Sequence, residues 1–148
     1  MTLVANKKAG LRFSFLEMYT AGIELSGAEV KSLRAKHGSL LGAHIVVRGG
    51  EAFLVGMSIP PYQNTALAKG YEPERARRLL LSKKEIAVLA AAEGEKGLTI
   101  VPLEVYNNKR YIKVRLAIAQ GKGKADKRED IKKREAARES ARVLKRRV

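Results

Sequence analysis

Residues 111–119 read Tyr-Ile-Lys-Val-Arg-Leu-Ala-Ile-Ala, an unbroken alternation of period two. A helix would scatter Ile112, Val114, Leu116 and Ile118 around its circumference. A strand puts all four on one face and turns Lys113 and Arg115 to the other, so this run predicts a half-buried strand. The preceding residues, 98–106, are rich in Leu, Ile and Val, and Asn107-Asn108-Lys109-Arg110 between the two runs suits a hairpin loop. A second hairpin is predicted where residues 44–48 and 51–57 flank Gly49-Gly50, because a tight hairpin turn wants the positive φ that glycine supplies. Residues 12–17 and 21–25 read as further strands.

Two helices interrupt the strands. Ser26 with Glu29 three residues on has capping-box spacing and predicts a helix through Arg34, with Val30 and Leu33 facing the core. Ser82 and Glu85 repeat the spacing for a helix to about Ala92, with Ile86 and Leu89 as its buried stripe and Gly94 and Gly97 at its end. Glu72 and Glu74 around Pro73, with Arg75, Arg77 and Arg78 behind them, suggest a polar helix start. The fold class that follows is mainly β with short α-helices: a small, closed or partly closed antiparallel barrel. An oligonucleotide-binding type of barrel is one such design, and the same periodicity fits other small barrels.

The pattern changes near Gly121. Residues 1–120 read as one globular core. Residues 121–148 hold 12 of the chain's 30 Lys and Arg, with only Ile131, Val143, Leu144 and Val148 as large apolar residues. A segment with so little to bury cannot offset its ordering entropy, so a basic tail is expected, disordered or helical only on binding. Asp126-Lys127-Arg128-Glu129 has helix-start spacing; Arg134, Arg138 and Arg142 then recur every four residues as a basic stripe, with Lys132 and Lys133 beside its start.

Thirty basic against 15 acidic residues leave a formal net charge of +15, a self-repulsion that points to an anionic partner. The positive residues cluster at Lys7-Lys8, directly after Asn6, at Lys31 and Arg34, at Arg77 and Arg78, and at Lys109, Arg110, Lys113 and Arg115. Phosphate neutralisation accounts for all of these clusters at once. Five Tyr and no Trp are few for a protein that reads single strands by stacking, so folded RNA is the expected partner. With no Cys there is no thiolate metal site, and with only His37 and His44, neither in a helical His pair, no metal site or cofactor is expected. No Ser-His-Asp or Cys-His set can be proposed, so no catalytic residue or small-molecule substrate is expected. Gly121-Lys122-Gly123-Lys124 lacks phosphate-loop spacing. No run approaches the roughly 18 apolar residues of a membrane span, and no signal peptide is recognisable, so a soluble cytoplasmic protein with no membrane partner is expected.

Several stretches, in order, resemble the SsrA-binding protein family of bacterial trans-translation. They are Asn6-Lys7-Lys8-Ala9, Ala21-Gly22-Ile23, Gly27-Ala28-Glu29-Val30-Lys31-Ser32-Leu33-Arg34-Ala35, Gly50-Glu51-Ala52-Phe53-Leu54-Val55-Gly56, Arg78-Leu79-Leu80-Leu81, Gly97-Leu98-Thr99-Ile100-Val101-Pro102-Leu103 and Asp126-Lys127-Arg128-Glu129-Asp130-Ile131-Lys132. The resemblance implies an oligonucleotide-binding-like barrel flanked by helices. It also implies binding to the tRNA-like domain of transfer-messenger RNA and delivery of that RNA to stalled ribosomes. The tail would probe the empty messenger channel near the small-subunit decoding region. It carries RNA-binding roles onto Asn6, Leu80 and Lys113, although composition alone would put Leu80 in the core, and a ribosome-sensing role onto Asp126, Lys127 and Arg128. The chain departs from the family pattern at Thr20, where an acidic residue is usual, at Gly10-Leu11 for Arg-His, and at Gly123 and Ala125 before the Asp-Lys-Arg run. A structural ribosomal protein bound permanently to ribosomal RNA is the competing expectation.

Overall fold

The alternating run is the last strand of a seven-stranded antiparallel sheet. The structure, a computed structural model, describes residues 1–62 and 71–121. In chain order it contains β1 (Thr2–Ala5), α1 (Ala9–Arg12), β2 (Phe13–Ile23), α2 (Gly27–Arg34), β3 (His44–Arg48), β4 (Glu51–Val55), β5 (Arg77–Leu80), α3 (Lys83–Glu93), β6 (Leu98–Asn108) and β7 (Tyr111–Gly121). The sheet order is β1-β6-β7-β2-β5-β4-β3, every neighbouring pair antiparallel. The sheet coils so that β3 packs against β6, and α3 covers both. Its two edge strands, β1 and β3, are not hydrogen-bonded to each other, so the barrel is only partly closed.

Both hairpins form where the sequence asks for them. Gly49 and Gly50 take φ 59° and 76° between Arg48 and its partner Glu51, the pair of positive values that matches the twist of the flanking strands. The β6–β7 turn is tighter than the four-residue loop expected. Asn108 pairs with Tyr111, and Lys109 turns the chain at φ 55°. Both predicted capping boxes are present: Ser26 and Ser82 accept from the backbones of Glu29 and Glu85, whose carboxylates accept in return from the cap N–H groups.

Three features depart from the sequence reading. The two strands expected at residues 12–17 and 21–25 are one long strand, β2 (Phe13–Ile23), whose continuity is masked by a bulge between Phe15 and Glu17 that shifts the alternation. The polar helix expected from Glu72 does not form; the chain instead enters β5, which joins β2 to β4. β1 and α1, four residues each, are too short for periodicity to reveal.

The core lies inside the coiled sheet and under α2 and α3, built from Leu33, Ile45, Leu54, Leu79, Leu89, Val105, Val114 and Leu116. Two charged groups lie inside it: Glu29 is 2% exposed and Arg77 fully buried. Arg77 donates Nε to Glu29 Oε2 at 2.8 Å and gives its remaining nitrogens to the carbonyls of Met57 and Pro73. Arg75 holds the other Glu29 oxygen at 2.5 Å. Burial alone would raise the Glu29 carboxyl. The Ser26 N–H and the two guanidinium groups outweigh that and hold it below the ordinary carboxylate range. This network ties α2 to both stems of the segment between β4 and β5.

Candidate nucleic-acid interface

The inward face of β7 is closed by the core, which leaves Tyr111, Lys113 and Arg115 on the outer face. Register then determines their neighbours. Lys113 lies opposite Tyr106 of β6 on one side and Gly22 of β2 on the other, and Gly22 lies opposite Leu80 of β5. One row thus crosses four strands as Tyr106, Lys113, Gly22 and Leu80. The next row sets Arg115 between Glu104 and Thr20.

Leu80 is 48% exposed, high for a large aliphatic residue on a sheet. It leans over Gly22: a Cβ on Gly22 would stand 3.2 Å from both Cβ and Cδ1 of Leu80. The bare glycine therefore lets Leu80 lie low across the sheet beside Lys113. Lys113 is half-buried, and among the described residues its ammonium has no hydrogen-bonded or ion-paired partner. Arg115 differs. It pairs with Glu104 at 2.8 Å, sits 5.2 Å from the Tyr106 ring centroid, and shares Glu104 with the Thr2 hydroxyl. Arg115 is held in place; Lys113 is the cation left for a ligand. Beside this row, burial and the Glu17 and Glu85 carboxylates push the Tyr19 phenol up to about 12, so it stays a neutral donor.

The expected site residues do not form one surface. Lys7 and Lys8 are exposed after β1, and Asn6 is half-buried and tied to β6: its backbone N–H donates to Leu103 and its side-chain amide to Pro102. Lys31 is exposed on α2. Arg34 reaches the carbonyl of Arg110 at 3.2 Å, which brings the helix end up to the exposed Lys109-Arg110 turn. Arg77 is a correction. Its full burial against Glu29 removes it from any surface, because a guanidinium inside the core is held by its carboxylate and carbonyl partners. Arg78 is half-buried and bridges Glu24 and Glu51, both at 2.9 Å, so it too is largely neutralised at home. The expected tail residues Asp126, Lys127, Arg128, Lys132, Lys133, Arg134, Arg138 and Arg142 lie outside the described residues.

Tyr106 and Gly22 were not singled out from sequence for this surface. Tyr106 follows a bulge between Pro102 and Glu104 that breaks the β6 alternation, and a glycine's value as open space is visible only once its cross-strand neighbour is known. Among the described residues no group of three or more His, Cys, Asp or Glu could hold a metal ion, and no helix is long and apolar enough to cross a membrane.

Known proteins are similar to this chain over most of its length. The family model described as SmpB protein matches residues 3–146. An SsrA-binding protein of Thermosipho melanesiensis is 49% identical over 144 residues, covering 97% of each chain. One from Coxiella burnetii is 44% identical over 144 residues, covering 97% of this chain and 91% of its own. Among solved structures, a chain from work described as "tmRNA-SmpB: a journey to the center of the bacterial ribosome" superposes with TM-score 0.69 at 41% identity, covering 86% of this chain and 92% of that one. A family match spanning nearly the full length, on a sheet of the same architecture, leads to one assignment: the chain belongs to the SmpB protein family.

Proposed function

We propose that the protein is a non-catalytic RNA-binding adaptor of the cytoplasm. It binds the tRNA-like domain of transfer-messenger RNA and brings that RNA to stalled ribosomes for trans-translation. The observation that carries the RNA contact is the row Tyr106–Lys113–Gly22–Leu80, in which an unpartnered ammonium stands between an aromatic ring and an exposed aliphatic side chain. Lys113 suits a phosphate, while Leu80 and the Tyr106 ring suit a ribose or base edge of a folded RNA. The +15 charge supplies the longer-range attraction, and its effect falls with salt. The tail beyond Gly121 is assigned to the ribosome's messenger channel, with Asp126, Lys127 and Arg128 as its sensing residues. The names of the similar proteins favour this reading over a structural ribosomal protein.

Lys113→Ala tests the contact. Affinity for transfer-messenger RNA in filter binding should fall on the order of tenfold, the cost of one charge-assisted contact, and the salt dependence should flatten by about one ion. Unchanged affinity and slope would remove Lys113 from the interface. Gly22→Val tests the shape of the row. The added side chain must displace Leu80, so RNA affinity should drop several-fold, by roughly 1 kcal/mol, while the melting temperature changes by no more than about 5 °C. A large loss of stability with normal binding per folded molecule would instead make Gly22 a packing residue.

A further inference from the structure

A second exposed aromatic feature lies away from the Lys113 row, at the C-terminal end of α2. Tyr62 and His37 are stacked, with ring centroids 5.9 Å apart and planes 25° from parallel. The Lys31 ammonium stands 4.9 Å from the Tyr62 centroid. Tyr62 is 38% exposed and His37 is exposed, so the pair belongs to the surface. An exposed aromatic stack adds little to a core, yet this one is firmly built.

Ser32 joins its halves. Ser32 is fully buried; its hydroxyl donates to the Pro60 carbonyl, and its own carbonyl accepts from the His37 N–H at 3.0 Å. On the histidine side, α2 ends through Lys36 at φ 64°, with the Lys36 N–H on Leu33, which turns His37 outward. On the tyrosine side, Pro60-Pro61 leads directly into Tyr62, and two fixed φ angles stiffen that approach. Rigid aromatic rings rimmed by cations are what an unpaired base needs: a flat face to stack on, and charge for the flanking phosphates. Lys31 supplies that charge at the ring itself, Arg34 and Lys36 are exposed and precede His37 in the chain, and the exposed Arg110 is joined to this end of α2 by the bond from Arg34 to its carbonyl.

From this geometry we infer that the Tyr62–His37 stack is a second RNA contact, a platform for one unpaired nucleotide. The inference rests on the RNA-binding reading above and adds to it a site that takes single-stranded rather than folded RNA. Lys31 moves from the ring to a phosphate as the base arrives.

The test uses the full chain with two probes, an adenosine hexaribonucleotide and transfer-messenger RNA. With the hexamer, the His37 ring protons should shift upfield in NMR titrations. Tyr62→Leu should weaken hexamer binding on the order of tenfold and abolish that shift, without moving the melting temperature; Tyr62→Phe should retain both. Hexamer binding by Tyr62→Leu equal to that of the unaltered chain would overturn the inference. So would a Tyr62→Phe defect as large as that of Tyr62→Leu, which would mean a hydroxyl contact. If the unaltered chain failed to bind transfer-messenger RNA, the underlying RNA reading would fall as well, which separates the two failures.

Discussion

Deleting residues 122–148 should leave binding to transfer-messenger RNA specific and abolish rescue of stalled ribosomes. The cut is physically clean. β7 ends at Gly121, which pairs with Phe13, so the truncated chain keeps every strand pairing of the sheet and the whole Tyr106–Lys113–Gly22–Leu80 row. What it loses is 12 of the 30 basic residues, including the Arg134, Arg138 and Arg142 stripe and the Asp126-Lys127-Arg128 run. Non-specific affinity should therefore decline, most visibly at low salt, while the preference for transfer-messenger RNA over tRNA persists. Rescue is measured as tagging of a stalled nascent chain in reconstituted translation. Full tagging activity in the truncated protein would refute the division of labour between barrel and tail.

The second large effect concerns stability. Arg77→Ala should destabilise the protein by about 3–5 kcal/mol, the usual cost of removing one partner from a buried ion pair. That corresponds to a fall of roughly 10–20 °C in melting temperature for a domain of this size. The loss is large because three groups are orphaned together: the Glu29 carboxylate and the carbonyls of Met57 and Pro73. Arg75 still reaches Glu29, but from a half-exposed position where water weakens its hold. Replacing both charges, as in Glu29→Met with Arg77→Met, should cost less than the sum of the single changes, since neither then leaves a buried charge alone.

Acid should act on the same network. Because the folded-state Glu29 carboxyl is held below its ordinary value, its contribution is complete above the unfolded carboxylate pKa of about 4.3 and disappears as pH falls through the lower folded value. In urea titrations the gap between the unaltered chain and Arg77→Ala should be widest near neutrality and narrow below about pH 4. A gap independent of pH would mean that Arg77 acts through its carbonyl partners alone.

The elements that showed in the sequence are those whose signal is local. The period-two run of β7, the Gly49-Gly50 turn and the two Ser-to-Glu capping boxes each record a backbone requirement within a few residues, and each forms where expected. β2 and β5 did not show as clearly, because a bulge at Leu16 shifts one pattern and two arginines disguise the other as a polar segment. Arg77 illustrates the limit. Arginine is ordinarily a surface residue, and only the fold brings Glu29, 48 positions earlier in the chain, against it. Leu80 errs in the opposite direction. Its composition points to the core, and only strand alternation beside the buried Leu79, with Gly22 as its cross-strand neighbour, turns it outward to Lys113. The resemblance had already singled out Leu80 and Lys113, which the sheet sets on either side of one glycine.

The central claim, a surface specific for transfer-messenger RNA, is tested most directly by equilibrium binding of the full chain to that RNA across a salt series. A tRNA and an unrelated structured RNA serve as competitors. The account predicts tight binding that favours transfer-messenger RNA and keeps that preference as salt rises, because contacts such as those of Leu80 and Tyr106 do not depend on counterion release. Equal affinity for all three RNAs, collapsing together as salt increases, would contradict it and leave only the generic attraction of a polycation.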